Sequence, residues 1–245
     1  MDRIVPMLPY RYHHSVDFCQ FLWVVHNRMD RTLVSHYMFL LFTSAFLSYW
    51  YLDQALAHYI HASGINVSNT FFNVVTQFGD SKYPLMATFL LYLIYRKSDK
   101  LFARKNLYVF SAVAISGLIV DIIKVIAGRM RPELLFDVHQ YGFSGFKFES
   151  SFYSFPSGHS ATAFSFFVAL ALLNPKYKLL FLASAILIVL SRIILLQHYL
   201  SDVAIGSAIG AFFAYGIYHQ YYLHAKSVRR FSLVAYKRSL SKSFA

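Results

Sequence analysis

Apolar runs of helical length follow one another along this chain, and nearly all of its charge falls in the gaps between them. Such a chain has little choice but to bury itself in lipid as a set of helices. Hydrophobic residues make up 57% of the 245 and charged residues 14%. A soluble domain carries about 25% charged residues, so this surface is not made for water. The net charge of +12 would also suit nucleic acid. Its placement between apolar runs points instead to membrane lipid, with no nucleic-acid partner.

Residues 1–32 read as a mixed head with Arg3, Arg11, Arg28 and Arg31. Its apolar patch from Phe18 to Val25 is too short to span and suits an interfacial helix. The lone cysteine, Cys19, lies in that patch and leaves no internal disulfide. Six spans are then expected, at about Leu33–Leu52, Lys82–Arg96, Leu107–Ala127, Pro156–Leu173, Tyr177–Leu196 and Val203–Leu223. The second is short, with Asp80 or Ser81 as cap and Pro84 in its first turn. Residues 53–82 read as a polar segment, and Asn174-Pro175-Lys176 as a tight break. A basic tail, 224–245, closes the sequence. With no internal repeat or low-complexity linker, the expectation is one all-α domain, 1–245, whose membrane core covers 33–223.

Lysine and arginine set the orientation of such a bundle. The head holds four, the 96–106 connection five, the 174–178 break two and the tail six, which is 17 of 23 on one side. That side is expected to be cytoplasmic. An even number of spans then puts both termini there, and the segment around Pro156 faces outward, to periplasm or lumen.

That outward segment, Phe155-Pro156-Ser157-Gly158-His159-Ser160, is a turn running straight into an apolar helix. The helix points its first N–H groups and its positive dipole end at the turn, which favours an anion. Other segments end on the same side. Lys124 and Arg131-Pro132 close the third span, Ser191-Arg192 closes the fifth, and His198 and Asp202 open the sixth. Lys124, Arg131 and Arg192 are three cations, two of them guanidinium forks matched to phosphate oxygens. Ser157, Gly158 and His159 add donors at the helix N-terminus. His198 and Asp202, four apart, can share a helical face, where the carboxylate would hold one imidazole N–H and leave the far nitrogen nucleophilic. His159 is then left as general acid. Clustered cations do work that many phosphoryl-transfer enzymes give to metal. Only Asp202 supplies a carboxylate within these segments, so no metal and no cofactor are expected.

Lys124-x6-Arg131-Pro132, Pro156-Ser157-Gly158-His159 and Ser191-Arg192-x5-His198-x3-Asp202 together resemble the three-part signature of the type 2 phosphatidic acid phosphatase (PAP2) superfamily. That superfamily includes membrane lipid phosphatases and soluble vanadium haloperoxidases. The motifs span 124–202, every signature position is filled, and the six-span layout is similar to the membrane branch. The resemblance implies a PAP2-type helical bundle and a phosphohistidine formed on His198, with Asp202 orienting it and His159 as acid. It implies phosphate held by Lys124, Arg131, Ser157, Gly158 and Arg192, without metal.

The resemblance further suggests a bacterial inner-membrane enzyme acting on a lipid phosphate at the periplasmic face. Lipid A, undecaprenyl pyrophosphate and phosphatidylglycerol phosphate are the candidates. The compact form is similar to the small lipid A phosphatases, which points to lipid A and its 1-phosphate. A broad lipid phosphatase stays open, as does a phosphotransferase that replaces water with a lipid or sugar hydroxyl. A flippase that inherited the fold would carry degraded motifs, and these are intact. The aromatic segment 141–155 reads either as a flap guiding a headgroup or as a belt anchor. Asp121, one turn before Lys124, either positions it or packs as a neutral carboxyl. Lys82 suits a second phosphate or a sugar, or else plain solvation. The tail is expected to bind anionic lipid.

Overall fold

The computed structural model of the chain describes residues 39, 42–65 and 69–220. The predicted head with Cys19, much of the first predicted span, the end of the sixth and the basic tail lie outside the described residues.

The described secondary structure is helical, apart from isolated bridges of Arg129 with Phe143 and Tyr153. Residues 42–47 are helical and pass through a π-helical turn, Ser48–Leu52, into α1, Asp53–Ser63. The first run therefore continues as helix well past Leu52, where the sequence pattern suggested a polar segment. Ala57 and Ile60 supply the buried stripe that the polar residues around them disguise, and Gly64, at φ +67°, stops the helix in the left-handed region.

Helix α2, Thr70–Gln77, is capped by Asn69, whose side chain accepts from the Phe72 N–H at 3.3 Å. Helix α3 covers Lys82–Tyr95 with Ser81 at its N-cap position. Asp80, not Ser81, makes the side-chain bond there, accepting from the Lys82 N–H at 3.1 Å. Helix α4 runs from Lys100 to Ala127, starting seven residues before the predicted Leu107 because Asp99 caps it through the Leu101 and Phe102 N–H groups. Its 28 residues reach about 42 Å at 1.5 Å each, enough to cross lipid and extend its basic first turns beyond it. After the short α5, Pro132–Asp137, come α6, Gly158–Leu173, α7, Lys178–Ile194, and α8, Leu200–Tyr218.

Among the described residues three segments are long and apolar enough to cross a membrane: Lys100–Ala127, Pro175–Ile194 and Leu200–Tyr218. Gly158–Leu173 is apolar but shorter. It begins at a turn already buried in protein, with Ser157 fully enclosed, so its backbone need not reach the membrane surface to be satisfied.

Helices α4, α6 and α8 meet around a core of Tyr108, Val109, Ala112, Ala169, Phe213, Ala214 and Ile217. Tyr108 donates its hydroxyl to the Ala214 carbonyl at 2.8 Å, so its polar tip is satisfied inside that core. Helix α8 lies close on α6. A Cβ at Gly206 would stand 2.3 Å from the Ser157 carbonyl oxygen, and one at Gly210 2.3 Å from that of Ala161. The outer faces keep Leu118, Ile122 and Ile126 of α4 and Leu179, Leu180, Ile186 and Leu190 of α7 exposed. Exposed apolar strips of that extent fit lipid, not water.

Candidate active site

Each signature residue is placed by a helix end or by the chain just outside it. Lys124 stands in the last turn of α4, which Gly128 closes in the left-handed conformation. The segment 144–147 then runs back along that end: the N–H groups of Lys147, Gly145 and Ser144 bond the carbonyls of Val125, Ala127 and Gly128. These are carbonyls that a helix end leaves without partners, so the aromatic loop locks the turn carrying Lys124. The Arg131 N–H bonds the Ser151 carbonyl at 2.8 Å, tying the next phosphate-type residue to the same loop. The tip of the loop, Phe146 and Phe148, is exposed, while Phe143 and Phe155 pack edge to face at its base.

Ser157 is the N-cap of α6, its Oγ accepting from the Ser160 N–H at 3.4 Å and the Ser160 hydroxyl at 3.0 Å. Its own N–H bonds the Asp202 carbonyl at 3.0 Å, joining the second signature segment to the third. A Cβ at Gly158 would stand 2.9 Å from Lys124 Nζ, so the ammonium comes down directly on this helix end. Lys124 meets Asp121 at 3.4 Å; the Asp121 side chain is largely exposed, which removes the packed neutral carboxyl from consideration.

Arg192, in the last turn of α7, is 6% exposed. It donates to Thr76 Oγ1 of α2 at 2.7 Å, and Arg131 donates to Gln197 Oε1 at 3.3 Å. The Nε atoms of both arginines are buried without a hydrogen-bond partner. Burial also pushes the Arg131 guanidinium down from its ordinary value. Lys124 lies within electrostatic reach of both arginines, and His159 within reach of Arg192, His198, Asp80 and Lys124. A buried fork, Arg192, a half-buried one, Arg131, and an ammonium, held together at like charge with donors to spare, suit an anion. A Cβ at Gly79 would stand 3.1 Å from His159 Cδ2, so the α2–α3 turn packs directly on that histidine.

His198 precedes α8 and is not part of it; Tyr199 is the N-cap and Asp202 lies in the first turn. This changes the expected pairing. The imidazole Nδ1 is 2.7 Å from the Ser154 carbonyl and 3.8 Å from Asp202 Oδ2. A carbonyl only accepts, so Nδ1 carries the proton and Nε2 keeps its lone pair. The tautomer expected from the sequence is present, but Ser154 holds it, with Asp202 acting as a nearby charge. Asp202 Oδ2 instead accepts from the Ser154 hydroxyl at 2.6 Å and the Tyr199 N–H at 2.9 Å. Burial pushes the His198 imidazole down to about 4 against the pull of Asp202, which keeps it neutral at ordinary pH.

The sequence pattern singled out none of Arg129, Asp53 and Ser154. Arg129 is fully buried and paired with Asp53 at 2.7 Å and with Asp202. Burial works against its charge, but Asp202 and Asp53 outweigh that and raise its pKa. A carboxylate at the edge of an apolar run was the available signal for Asp53, since such groups rarely lie near lipid without a partner. No group of three or more His, Cys, Asp or Glu side chains that would suit a metal ion occurs among the described residues. Lys82 is exposed and paired with Asp80 at 2.8 Å.

Residues 105–226 match the family model described as the PAP2 superfamily. A lipid A 1-phosphatase of Rhizobium johnstonii is 39% identical over 153 residues, which cover 58% of this chain and 63% of that protein. A lipid A 1-phosphatase of Rhizobium etli is 37% identical over 153 residues, 58% of this chain and 66% of the relative. A lipid A 4'-phosphatase of Porphyromonas gingivalis is 29% identical over 146 residues, 57% and 60% of the two chains. The matches thus cover less than two thirds of the length of these curated relatives. In three dimensions the chain is similar to the crystal structure of a transmembrane PAP2 type phosphatidylglycerolphosphate phosphatase from Bacillus subtilis. The TM-score is 0.54 at 22% identity, over 75% of this chain and 92% of that one, a likeness of fold.

Proposed function

This chain belongs to the PAP2 superfamily, and from that premise we propose that it is a membrane lipid phosphatase that removes the 1-phosphate of lipid A. One observation carries the reaction type. His198, its Nδ1 held by the Ser154 carbonyl, lies within electrostatic reach of two guanidinium forks, Arg131 and Arg192, whose Nε donors are buried and unpaired. Nε2 attacks phosphorus, the bond to the leaving oxygen breaks, and His159 gives that oxygen its proton. The phosphoryl group then sits on Nε2. Water attacks it next, losing a proton to the now neutral His159, and inorganic phosphate leaves with His198 restored. Lys124, Arg131, Arg192 and the first N–H groups of α6 with Ser157 hold the three equatorial oxygens where charge gathers. Their charge does the work for which other enzymes use a metal.

The substrate reading rests on the two Rhizobium relatives, each a lipid A 1-phosphatase. The periplasmic placement of the site rests on the lysine and arginine distribution. Basic residues of the tail bind anionic lipid on the opposite leaflet.

Phosphate release from lipid A, phosphatidylglycerol phosphate and undecaprenyl pyrophosphate, measured side by side in detergent with and without EDTA, tests this. Release from lipid A, insensitive to EDTA and lost in His198→Ala, is the expected result. Equal release from all three replaces the lipid A assignment with a broad phosphatase. No release, but a phosphorylated acceptor when one is supplied, replaces hydrolysis with transfer.

A further inference from the structure

On the Nδ1 side of His198 lies an ion cluster that none of these steps uses. Arg129 Nη1 donates to Asp202 Oδ1 and to Ser201 Oγ, the latter at 2.6 Å. Its Nη2 donates to Asp53 Oδ2 at 2.7 Å and to the Tyr141 hydroxyl at 3.1 Å. Asp53 also accepts from the Ser48 hydroxyl at 2.8 Å, the Ser201 N–H at 3.0 Å and the Ser201 hydroxyl. Around the guanidinium stand the rings of Tyr199 at 4.7 Å, Tyr49 at 5.0 Å, Phe143 at 5.2 Å and Tyr141 at 5.6 Å. Arg129, Asp53 and Asp202 are each at most 1% exposed.

We propose that Arg129 and Asp53 are positioning residues for the nucleophile, clamping Asp202 and Ser154 behind His198 and leaving one net negative charge there. The proposal rests on the reading of His198 as nucleophile.

Two physical arguments support it. The first is geometric. Asp202 accepts from Arg129 on one oxygen and from Ser154 and Tyr199 on the other, and the Ser154 carbonyl holds the His198 ring. Arg129 stands between Lys124 and Arg131 on the phosphate-binding segment. One side chain therefore sets the distance between that segment and the one carrying the nucleophile. The second is charge. An Arg129–Asp202 pair alone would be neutral and would present little field to the ring. Asp53 brings the cluster to one net negative charge, opposite the positive charge that builds on the imidazole as Nε2 bonds to phosphorus with Nδ1 still protonated. A clamp serving only to fold the chain needs no second carboxylate.

Asp53→Asn and Arg129→Lys test this in the full chain purified in detergent, alongside wild type and His198→Ala. Asp53→Asn keeps the shape and removes the charge; Arg129→Lys keeps the charge and removes the fork. For each, kcat is expected to fall at least about tenfold, while KM and inhibition by inorganic phosphate stay within about twofold. The phosphoenzyme trapped by alkaline quench should fall with kcat. Unchanged kcat in a folded Asp53→Asn protein overturns the proposal. So does a parallel loss of kcat and phosphate inhibition, which would mark general distortion. Both variants failing to give a monodisperse folded protein would mark the cluster as a folding element alone and would also overturn it. A fully active His198→Ala protein would instead remove the nucleophile reading on which the proposal stands.

Discussion

The His198 ring carries the sharpest test at the scale of single residues. Its burial sets the imidazole at about 4, against about 6.5 for a free histidine. Attack needs the neutral ring, so kcat/KM should hold as pH falls through 6 and be lost only as it nears about 4, the value for His198 in the free protein. A limb near 6.5 would mean a solvated ring. The stability consequence has a definite sign. Between about 6.5 and about 4 the unfolded chain binds a proton that the folded chain refuses, so stability falls as pH falls across that window. The signature residues could be singled out in the sequence because their types suggest a chemistry: forks and an ammonium suit phosphate, and two imidazoles suit attack and proton transfer. Ser154 was not, because it acts through a backbone carbonyl, which every residue has. Arg129 and Asp53 were not, because their pairing joins positions 76 apart. Breaking such a buried pair by removing one partner costs about 3–5 kcal/mol, so conservative replacements probe it with the least disturbance of the fold.

Among the elements, the contact of α8 with the start of α6 decides how the catalytic segments meet. A Cβ at Gly206 would reach within 2.3 Å of the Ser157 carbonyl, a backbone atom that cannot swing aside. Gly206→Ala should therefore displace the turn, with an overpacking cost of about 1–3 kcal/mol. Turnover should drop more than about tenfold, beyond what that loss of stability explains, since the same turn carries Ser157 and His159. Gly117→Ala is the matched control: nothing lies within 4 Å of its Cβ, and alanine is favoured over glycine in a helix by about 1 kcal/mol. Thermal unfolding and lipid phosphatase assays on both proteins check this, and a fully active Gly206→Ala protein would show that the turn tolerates movement. Element types were readable from apolar run length and caps, but their limits were not. Asp99 starts α4 early, and α1 prolongs a run whose buried stripe is thin.

For the whole molecule, the charge distribution carries the prediction of orientation. The ends of α4 and α7 that carry Lys100 and Lys178 belong to the basic side, while Lys124 and Arg192 stand at their other ends. An alkaline phosphatase fused to the C-terminus should be inactive in a bacterial host, and an active fusion would invert the orientation. The sequence by itself determined that the chain is helical, apolar on its outside, and equipped with phosphate-type residues in a fixed order. Those properties follow from local composition and spacing, which each segment carries alone. Only the tertiary structure decided which group holds the His198 ring, where the long loop between α4 and α6 lies, and what stands behind Asp202. Those depend on side chains and backbone atoms brought together from distant helices. Within such burial every charge must find a partner, and the fold alone determines which one it finds.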